Sequence, residues 1–463
     1  MHWLDITYKQ HQTFLISGDD TYTYQAIFSA GDDLFSGCER GLIAIICQRD
    51  VATITAYVGA LRCGLVPLLL PRDINDEMLS ELLGAYQPRY LFGQDIHLVN
   101  YQAKADCFSG KLYETNTPQV QKIHADLALL IPTSGSTGDP KCVRLSLAQL
   151  HACTKSIVTY LGLEEATISM TSLPLNYAYG LSILHNCLYT RSQLVISGEQ
   201  SWLERSFWDL VETHQVTDLA GVPLMFEMIK RLRLSDRICH HLKRVTQAGG
   251  WMKPALTKHF VDYFSEHDIQ YFTMYGQTEA APRISYMPPE KAIEKLGSAG
   301  IPIPGGRVSL KDPDAAGVGE LVYHGENVCL GYAENIIDCQ LGDAFVGTLY
   351  TGDLAEIDEE GFITIVGRKK RFIKLHGLSV NLDHIERIVT ASFGPCAVIG
   401  KDDALRIFVP MACVDDVSSH IKERFGFHPT SYKVMACADI PTQPSGKIDY
   451  QQLYKDCFGE RVH

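Results

Sequence analysis

The chain has 463 residues, which is enough for one large domain and one small domain. Apolar residues make up 46% of it and charged residues 21%, the composition of an ordinary globular protein. The 41 basic and 54 acidic residues give a net charge of −13, which argues against binding to nucleic acid or to an anionic membrane.

The N-terminus and the cysteine pattern predict a cytoplasmic location. Residues 1–5 lack the basic region and the apolar run that begin a secretory signal. No stretch reaches the roughly 18 continuous apolar residues of a membrane span. The 14 cysteines include no C-x-x-C pair, so we expect scattered thiols in a reducing compartment and no zinc site.

Strands and helices are predicted to alternate in the first part of the chain. Apolar runs at 42–47 and 66–70 predict strands, and an amphipathic pattern at 52–61 predicts the helix between them. This order implies a parallel sheet with right-handed crossovers. The polar segment 111–126 is expected to be a surface connection that leads to a further buried strand at 127–131.

A loop rich in glycine and hydroxyl side chains follows that strand, and residues 133–141 read Thr-Ser-Gly-Ser-Thr-Gly-Asp-Pro-Lys. Glycines let backbone N–H groups approach a phosphate closely, and the hydroxyls and the lysine add further donors. The spacing differs from a Walker A motif, because Asp139 and Pro140 separate Gly138 from Lys141. A flexible surface turn has a similar composition, so the loop by itself leaves both interpretations open.

Three later segments also suit a nucleotide. Residues 275–279 read Tyr-Gly-Gln-Thr-Glu, in which an aromatic face suits a purine, a hydroxyl a phosphate oxygen and a carboxylate Mg²⁺. Asp353 offers two acceptor oxygens to a vicinal diol, although Asp is also common in β-turns. Residues 248–250, Ala-Gly-Gly, end a predicted strand, and open α/β sheets bind ligands at such strand ends.

In this order, the motifs resemble those of the adenylate-forming superfamily, which includes acyl-CoA synthetases, luciferases and peptide-synthetase adenylation domains. The loop at 133–141 fits the family form, but Cys142 stands where a glycine is common. Residues 350–353, Tyr-Thr-Gly-Asp, resemble the family's Tyr-x-Thr-Gly-Asp, and residues 441–448, Pro-Thr-Gln-Pro-Ser-Gly-Lys-Ile, match the C-terminal motif. The resemblance covers almost the whole chain.

The resemblance implies an α/β fold in two domains. Residues 1–366 would form a large N-terminal domain with parallel or mixed sheets, a β-rich subdomain and the ATP and acyl sites. Residues 367–463 would form a small, mobile α+β lid domain with its hinge near Lys370.

The resemblance also implies the residues that bind ATP and Mg²⁺. Glu279 would bind Mg²⁺, Thr278 the α-phosphate and Tyr275 the adenine. Asp353 would bind the ribose, and Arg368 the ribose or the phosphates. The remaining nucleotide contacts would be Thr133, Ser134, Gly135, Ser136, Thr137, Gly138, Lys141, Gly249, Gly250 and Gly276.

The activity that the resemblance implies is an AMP-forming acid–thiol ligase. Lys447 would reach into the cleft while the acyl-AMP forms, and Lys374 would approach the adenylate after the small domain rotates; together with Thr278 these are the predicted catalytic residues. The acceptor would be the thiol of CoA or of the phosphopantetheine on a carrier protein supplied in trans.

The resemblance places the acyl pocket at Asn176, Tyr177, Tyr179, Gly180 and Ala248. Peptide-synthetase adenylation domains usually hold the substrate's ammonium with an Asp here, because burying an unpaired ion is costly. Residues 173–184 contain no acid, which favours a simple carboxylic acid. An amino-acid:carrier-protein ligase remains an alternative. So does a non-catalytic nucleotide-binding regulator, since Cys142 would disturb the loop if a positive φ were needed there.

Overall fold

A computed structural model describes residues 3–5, 9–94, 96, 98, 100–116, 121–132, 141–233, 241–376, 378–442 and 448–459. The strands up to residue 275 are β1 Thr13–Ser17, β2 Asp20–Thr23, β3 Leu42–Cys47, β4 Val66–Pro71, β5 Tyr90–Gly93, β6 Tyr101–Cys107, β7 Gly110–Thr115, β8 Leu127–Pro132, β9 Cys142–Ser146, β10 Ile168–Met170, β11 Gln193–Val195, β12 Asp218–Gly221, β13 Arg244–Gln247 and β14 Gln270–Tyr275. The later strands are β15 Ser285–Tyr286, β16 Ile301–Pro302, β17 Arg307–Lys311, β18 Gly319–His324, β19 Gly331–Ala333, β20 Thr348–Ile357, β21 Ile363–Arg368, β22 Phe372–Leu375, β23 Leu378–Asn381, β24 Ala397–Lys401, β25 Ala404–Val409 and β26 Tyr432–Ala436. The helices are α1 Tyr24–Leu34, α2 Val51–Arg62, α3 Asp76–Tyr86, α4 Leu147–Leu161, α5 Ala178–Thr190, α6 Arg205–Thr213, α7 Pro223–Arg231, α8 Pro254–Glu266, α9 Leu382–Phe393, α10 Val414–Phe425 and α11 Tyr450–Phe458. None of these helices is long and apolar enough to cross a membrane.

Two large sheets form the body of the described chain. One has the strand order β16-β15-β14-β13-β12-β10-β11-β1-β2, and the other has the order β19-β9-β8-β4-β3-β5-β7-β6. Strands β12, β13 and β14 run parallel to one another, as do β3, β4 and β5. The predicted α/β fold with parallel and mixed sheets is confirmed. Because parallel strands end at a common edge, the segments that follow β13 and β14 lie next to each other.

Helix α2 confirms the helix predicted at 52–61, but it is buried on every side, so its predicted amphipathic character is wrong. Residues 51–61 are all buried. The polar side chain of Thr55 is accommodated because its hydroxyl donates to the Val51 carbonyl at 2.8 Å. Helix α1 packs closely on α2, and a Cβ added at Gly59 would lie 2.6 Å from the Gly31 Cα. In the sequence, threonines whose hydroxyl groups bond within the protein therefore looked like the solvent-facing side of an amphipathic helix.

The predicted surface connection at 111–126 is wrong in its first part. Strands β6 and β7 form a hairpin there, and β7 extends the eight-stranded sheet by pairing with β5. Leu112 and Tyr113 are buried on opposite faces of β7. Glu114, on the same face as Leu112, accepts from Lys104 at 2.6 Å and Arg89 at 3.1 Å. The charged residues among these apolar ones made the segment look like a surface connection in the sequence.

The last part of the chain has sheets and cores of its own. Strands β17, β18, β20 and β21 form a four-stranded sheet, and a 3₁₀ turn at Lys369–Arg371 follows it. The hairpin β22–β23 and the sheet β24–β25–β26 then pack with α9, α10 and α11 around two apolar clusters, whose described members all come from residue 373 onward. The domain division at 366/367 and the hinge near Lys370 stay predictions.

Gly59→Ala is expected to destabilise the protein, because the added methyl group overlaps the backbone of α1 at Gly31. Overpacking of this kind costs about 1–3 kcal/mol. Gly84→Ala in α3 is the matched control, since nothing lies within 4 Å of a Cβ added there. The control should gain up to about 1 kcal/mol from helix propensity. Urea unfolding followed by circular dichroism measures both, and equal midpoints would contradict the predicted overlap.

Candidate active site

Several predicted site residues lie where parallel strands of the nine-stranded sheet end. Ala248 follows β13 and is buried, and its N–H donates to the Gly221 carbonyl at the end of β12. Gly249 has φ +88°, and a Cβ on it would lie 2.4 Å from the Tyr177 hydroxyl. The Gln247 side chain donates to the Gly250 carbonyl at 3.1 Å. The glycines therefore allow Tyr177 to lie directly against this strand end.

The segment that follows β14 is held in a tight turn. A Cβ at Gly276 would lie 2.0 Å from the Pro282 carbonyl oxygen, so only glycine fits there. Thr278–Ala280 form a 3₁₀ turn, and Glu279 is half-buried in it. The Cys329 N–H donates to the Glu279 carbonyl at 2.8 Å, which ties this turn to the segment before β19.

A buried carboxylate joins three separate strands at the same edge. The Tyr275 hydroxyl donates to Asp353 Oδ2 at 2.5 Å, and Arg368 Nε lies 3.1 Å from Asp353 Oδ1. Asp353 is only 4% exposed, and its own N–H donates to the Thr351 hydroxyl. Burial raises the pKa of Asp353, while Arg368 and Tyr275 oppose that rise. Each carboxylate oxygen keeps acceptor capacity beyond its one protein partner.

Tyr332 connects the predicted magnesium ligand with the predicted phosphate-loop lysine. The Tyr332 hydroxyl donates to Glu279 Oε1 at 2.9 Å, and Lys141 Nζ lies 3.7 Å from the centre of the Tyr332 ring. Strand β19, which carries Tyr332, pairs with β9, which follows Lys141. The side chain thus bridges the two large sheets. Sequence reasoning missed Tyr332, because a lone tyrosine in a short strand matches no motif.

The predicted acyl-pocket residues lie at the start of α5. Asn176 and Tyr177 are half-buried, and the Tyr179 hydroxyl shares a hydrogen bond of 2.7 Å with Thr246 Oγ1 in β13. A Cβ at Gly180 would lie 2.2 Å from the Pro174 carbonyl oxygen, so glycine is required for the turn into the helix.

Sequence reasoning also missed Arg283, whose guanidinium lies 4.8 Å from the centre of the Tyr179 ring and is buried. Because arginine is usually exposed, the residue type did not indicate in the sequence that Arg283 is buried beside the predicted acyl pocket.

Cys142 does not disturb the backbone beside the predicted phosphate loop. It begins β9 in regular strand conformation, opposite Pro132 on one side and Ala333 on the other. It is absent from the non-glycine residues with positive φ, so glycine is not required at this position. Its side chain is fully buried.

Other predicted site residues lie away from this edge or cannot be placed. Thr133, Ser134, Gly135, Ser136, Thr137 and Gly138 lie outside the described residues, and so does Lys447. Lys374 is exposed in β22, where its N–H donates to Asp402 Oδ1 at 2.7 Å. The described residues contain no group of three or more His, Cys, Asp or Glu suited to a metal ion.

Comparisons with known proteins agree on a family and a fold. The AMP-binding enzyme family matches residues 9–333. A 2-succinylbenzoate–CoA ligase from Listeria innocua is 29% identical over 433 residues, which cover 89% of this chain and 88% of that protein.

Solved structures of one enzyme share the fold. The O-succinylbenzoate coenzyme A synthetase (MenE) from Bacillus subtilis in complex with AMP has a TM-score of 0.79 at 22% identity, with 98% of each chain covered. The same enzyme in complex with ATP and a magnesium ion has a TM-score of 0.74 at 20% identity, covering 96% of this chain and 98% of that one.

Asp353→Ala is expected to weaken ATP binding by about 100-fold, because charge-assisted hydrogen bonds to both ribose hydroxyls would be lost. Isothermal titration with ATP and 2′,3′-dideoxy-ATP measures this, and the variant should no longer distinguish the two nucleotides. Asp358→Ala, which removes an exposed carboxylate from the same β-rich region, serves as the control. Because the pKa of Asp353 is raised, ATP affinity should also fall on acidification at a higher pH than an ordinary aspartate would cause. An unchanged dissociation constant in Asp353→Ala would refute the ribose contact.

Proposed function

Because the chain belongs to the AMP-binding enzyme family, we propose that it is an ATP-dependent carboxylate ligase. It joins a carboxylic acid to AMP with release of pyrophosphate and then transfers the acyl group to a thiol. The observation that carries this proposal is the meeting of Tyr275, Asp353 and Arg368 at one strand edge, with Glu279 in the turn beyond β14.

The nucleotide is proposed to lie along this edge. Asp353 accepts from the ribose hydroxyls, and the Tyr275 ring faces the adenine against the Gly249–Gly250 segment. Arg368 suits this role because its side chain is 65% exposed while it pairs with a buried carboxylate, so its other N–H groups can reach a phosphate or the ribose. The proposed phosphate loop, residues 133–138, and Lys141 receive the β- and γ-phosphates.

The donor set fits magnesium. Mg²⁺ is commonly bound through one or two carboxylates together with substrate phosphates, and it seldom needs a cage made of protein alone. Glu279 supplies one half-buried carboxylate, and no larger acidic cluster occurs among the described residues. When bound, Mg²⁺ neutralises phosphate charge. A relative's fold has been solved with ATP and a magnesium ion.

In the first half-reaction, a carboxylate oxygen attacks the α-phosphorus of ATP, the bond to the bridging oxygen breaks, and pyrophosphate leaves. The products are a mixed acyl-AMP anhydride and pyrophosphate. The protein lowers the barrier by alignment and by charge neutralisation, without covalent chemistry of its own. Thr278 holds the α-phosphate, and Lys447 neutralises the charge that passes between carboxylate and phosphate.

In the second half-reaction, a thiol attacks the acyl carbon and AMP leaves. We propose that the small domain, residues 367–463, turns about Lys370, withdraws Lys447 and brings Lys374 towards the adenylate. The contacts across this boundary are polar and suit such a motion. Arg387 donates to the Val366 carbonyl, and Lys253 Nζ donates to the Thr390 carbonyl at 3.1 Å. Water can replace such bonds at low net free energy.

The names of the relatives favour CoA as the thiol. Phosphopantetheine on a carrier protein presents the same thiol, so a carrier protein remains the alternative acceptor. Supplying each acceptor to preformed acyl-AMP distinguishes them.

The charges beside the acyl pocket argue against an amino-acid substrate. Arg283 places a cation near Tyr179, where an α-ammonium group would be repelled. Asp218, the acid among the described lining residues of the cavity beside Arg283, is paired with Arg244 at 2.5 Å. The regular strand backbone of Cys142 weakens the case for a non-catalytic regulator.

The direct test is pyrophosphate release from Mg-ATP across fatty, aryl, short-chain, dicarboxylic and amino acids. Release with one class of acid would support the ligase and identify its substrate class. If no acid in the panel caused pyrophosphate release in a protein that still binds ATP, the proposed ligase activity would be contradicted.

Lys447→Ala is expected to reduce acyl-AMP formation by about 1,000-fold or more, since its proposed role is to stabilise the transition state. ATP binding should change little. Pyrophosphate release measures the first property and isothermal titration the second. Lys422→Ala, which removes an exposed lysine of α10, is the matched control. Unchanged pyrophosphate release in Lys447→Ala would contradict the proposed role of Lys447 in the transition state.

Lys374→Ala should spare acyl-AMP formation and slow thioester formation, because Lys374 is proposed to act only after rotation. Single-turnover assays of each half-reaction test this, with Lys433→Ala of β26 as the exposed control. Equal losses in both half-reactions would count against the rotation.

A further inference from the structure

Arg283 lies beside Tyr179, one of the predicted acyl-pocket residues, in a fixed backbone setting. It follows the Thr278–Ala280 turn, and its N–H donates to the Ala280 carbonyl at 2.9 Å. The Asn327 side chain donates to the Arg283 carbonyl at 2.8 Å. The side chain is 2% exposed and extends to the Tyr179 ring. Both the position and the direction of this guanidinium are therefore set by the fold.

This buried cation lacks the partners that two other buried arginines, Arg144 and Arg244, have. Arg144 donates to four backbone carbonyls, those of Leu330, Tyr332, Leu341 and Gly342. Arg244 pairs with Asp218 through two of its nitrogens. Arg283 forms a side-chain hydrogen bond with the Tyr160 hydroxyl. It forms no ion pair with a described carboxylate, and its Nε has no hydrogen-bond partner among the described residues. A desolvated guanidinium without an anion is unfavourable, and its contacts with two tyrosines compensate for only part of that loss.

A small polar cavity adjoins Arg283. Its volume is about 30 Å³, and its polar lining consists of Arg283, Tyr179, Ser169, Ser182, Asn186, Thr246 and Asp218. The Asp218 carboxylate is paired with Arg244. Asn186 Oδ1, also buried, has no hydrogen-bond partner. By volume, the cavity has room for about two water molecules or one small polar group. Tyr179 lines this cavity and also neighbours Tyr177, whose ring centre lies 6.3 Å from that of Tyr179 and which faces the Gly249 strand end.

We propose that Arg283 is a specificity residue that receives a second carboxylate at the far end of the acyl substrate. Guanidinium binds carboxylate through two parallel hydrogen bonds, which suits recognition of a planar anionic group. The substrate carboxylate supplies the anionic partner that no described residue provides. The substrate class is therefore a short dicarboxylic acid, with one carboxylate activated near Thr278 and the other bound at Arg283. This inference rests on the proposed ligase function.

The experiment compares each dicarboxylic acid with its own monomethyl ester. Pyrophosphate release from Mg-ATP gives kcat/KM for linear diacids of increasing length, for aromatic diacids and for 2-succinylbenzoate. The wild-type protein should prefer its best diacid over the ester by about 100-fold, because the ester leaves the buried Arg283 unpaired. Equal use of diacid and ester, or a response to monocarboxylic acids alone, would overturn this inference and leave the ligase function standing. Silence with every acid would overturn both.

Variants separate substrate recognition from a structural role. Arg283→Met keeps the volume and removes the charge, so kcat/KM should fall about 100-fold for the diacid and change less than about 3-fold for the ester. Arg283→Lys should retain part of the preference. Arg307→Met, at an exposed position of β17, is the matched control and should behave as the wild type. Equal losses for diacid and ester in Arg283→Met would mean that the residue only supports the fold. If that variant fails to fold, the wild-type ratio and Arg283→Lys decide the matter.

Discussion

The hydrogen bond between Tyr275 and Asp353 is the interaction on which the arrangement of the site depends. It joins residues 78 positions apart, one at the end of β14 in the nine-stranded sheet and the other in β20 of the four-stranded sheet. Arg368, at the end of β21, pairs with the same carboxylate. A buried carboxylate needs such partners, because an uncompensated charge would be costly or would be neutralised by protonation. The need to satisfy Asp353 therefore fixes the large sheet and the β-rich region relative to each other.

Tyr332 fixes the other side of the site, because its side chain contacts residues from both large sheets. It reaches Glu279 with its hydroxyl and Lys141 with its ring, and so brings an acid after β14 and a base before β9 to one aromatic side chain. The Tyr332 side chain thus contacts a carboxylate with its hydroxyl and an ammonium group with its ring. This arrangement suits an enzyme that must hold a metal ion and a polyphosphate together.

The turn between the β-rich region and the last sheets combines a firm anchor with bonds that can exchange. Arg371 pairs with Asp383 and, at 3.1 Å, with Glu386, which also accepts from Tyr450 at 2.6 Å. This buried network ties the end of the turn to α9 and α11. By contrast, Asn381 at the end of β23 and Arg387 of α9 donate to backbone carbonyls of β21, and Asp383 of α9 accepts from the Arg368 N–H at 2.8 Å. A rotation near Lys370 would keep the network and exchange the carbonyl bonds for water.

The sequence by itself determined the order of the elements, the α/β class and the family to which the motifs belong. Apolar runs such as 42–47 are strands because burial on both faces requires continuous hydrophobicity, and Gly249 and Gly276 marked places where backbone and side chains approach closely. Only the tertiary structure decided what depends on distant partners. In the folded protein, α2 is buried despite its threonines, and the charged segment around β6 and β7 forms a hairpin. Tyr332 connects Glu279 with Lys141, and Arg283 is buried without an anionic partner among the described residues. Periodicity and motifs report local environment, whereas the partner of a side chain far along the chain is set only when the sheets pack together.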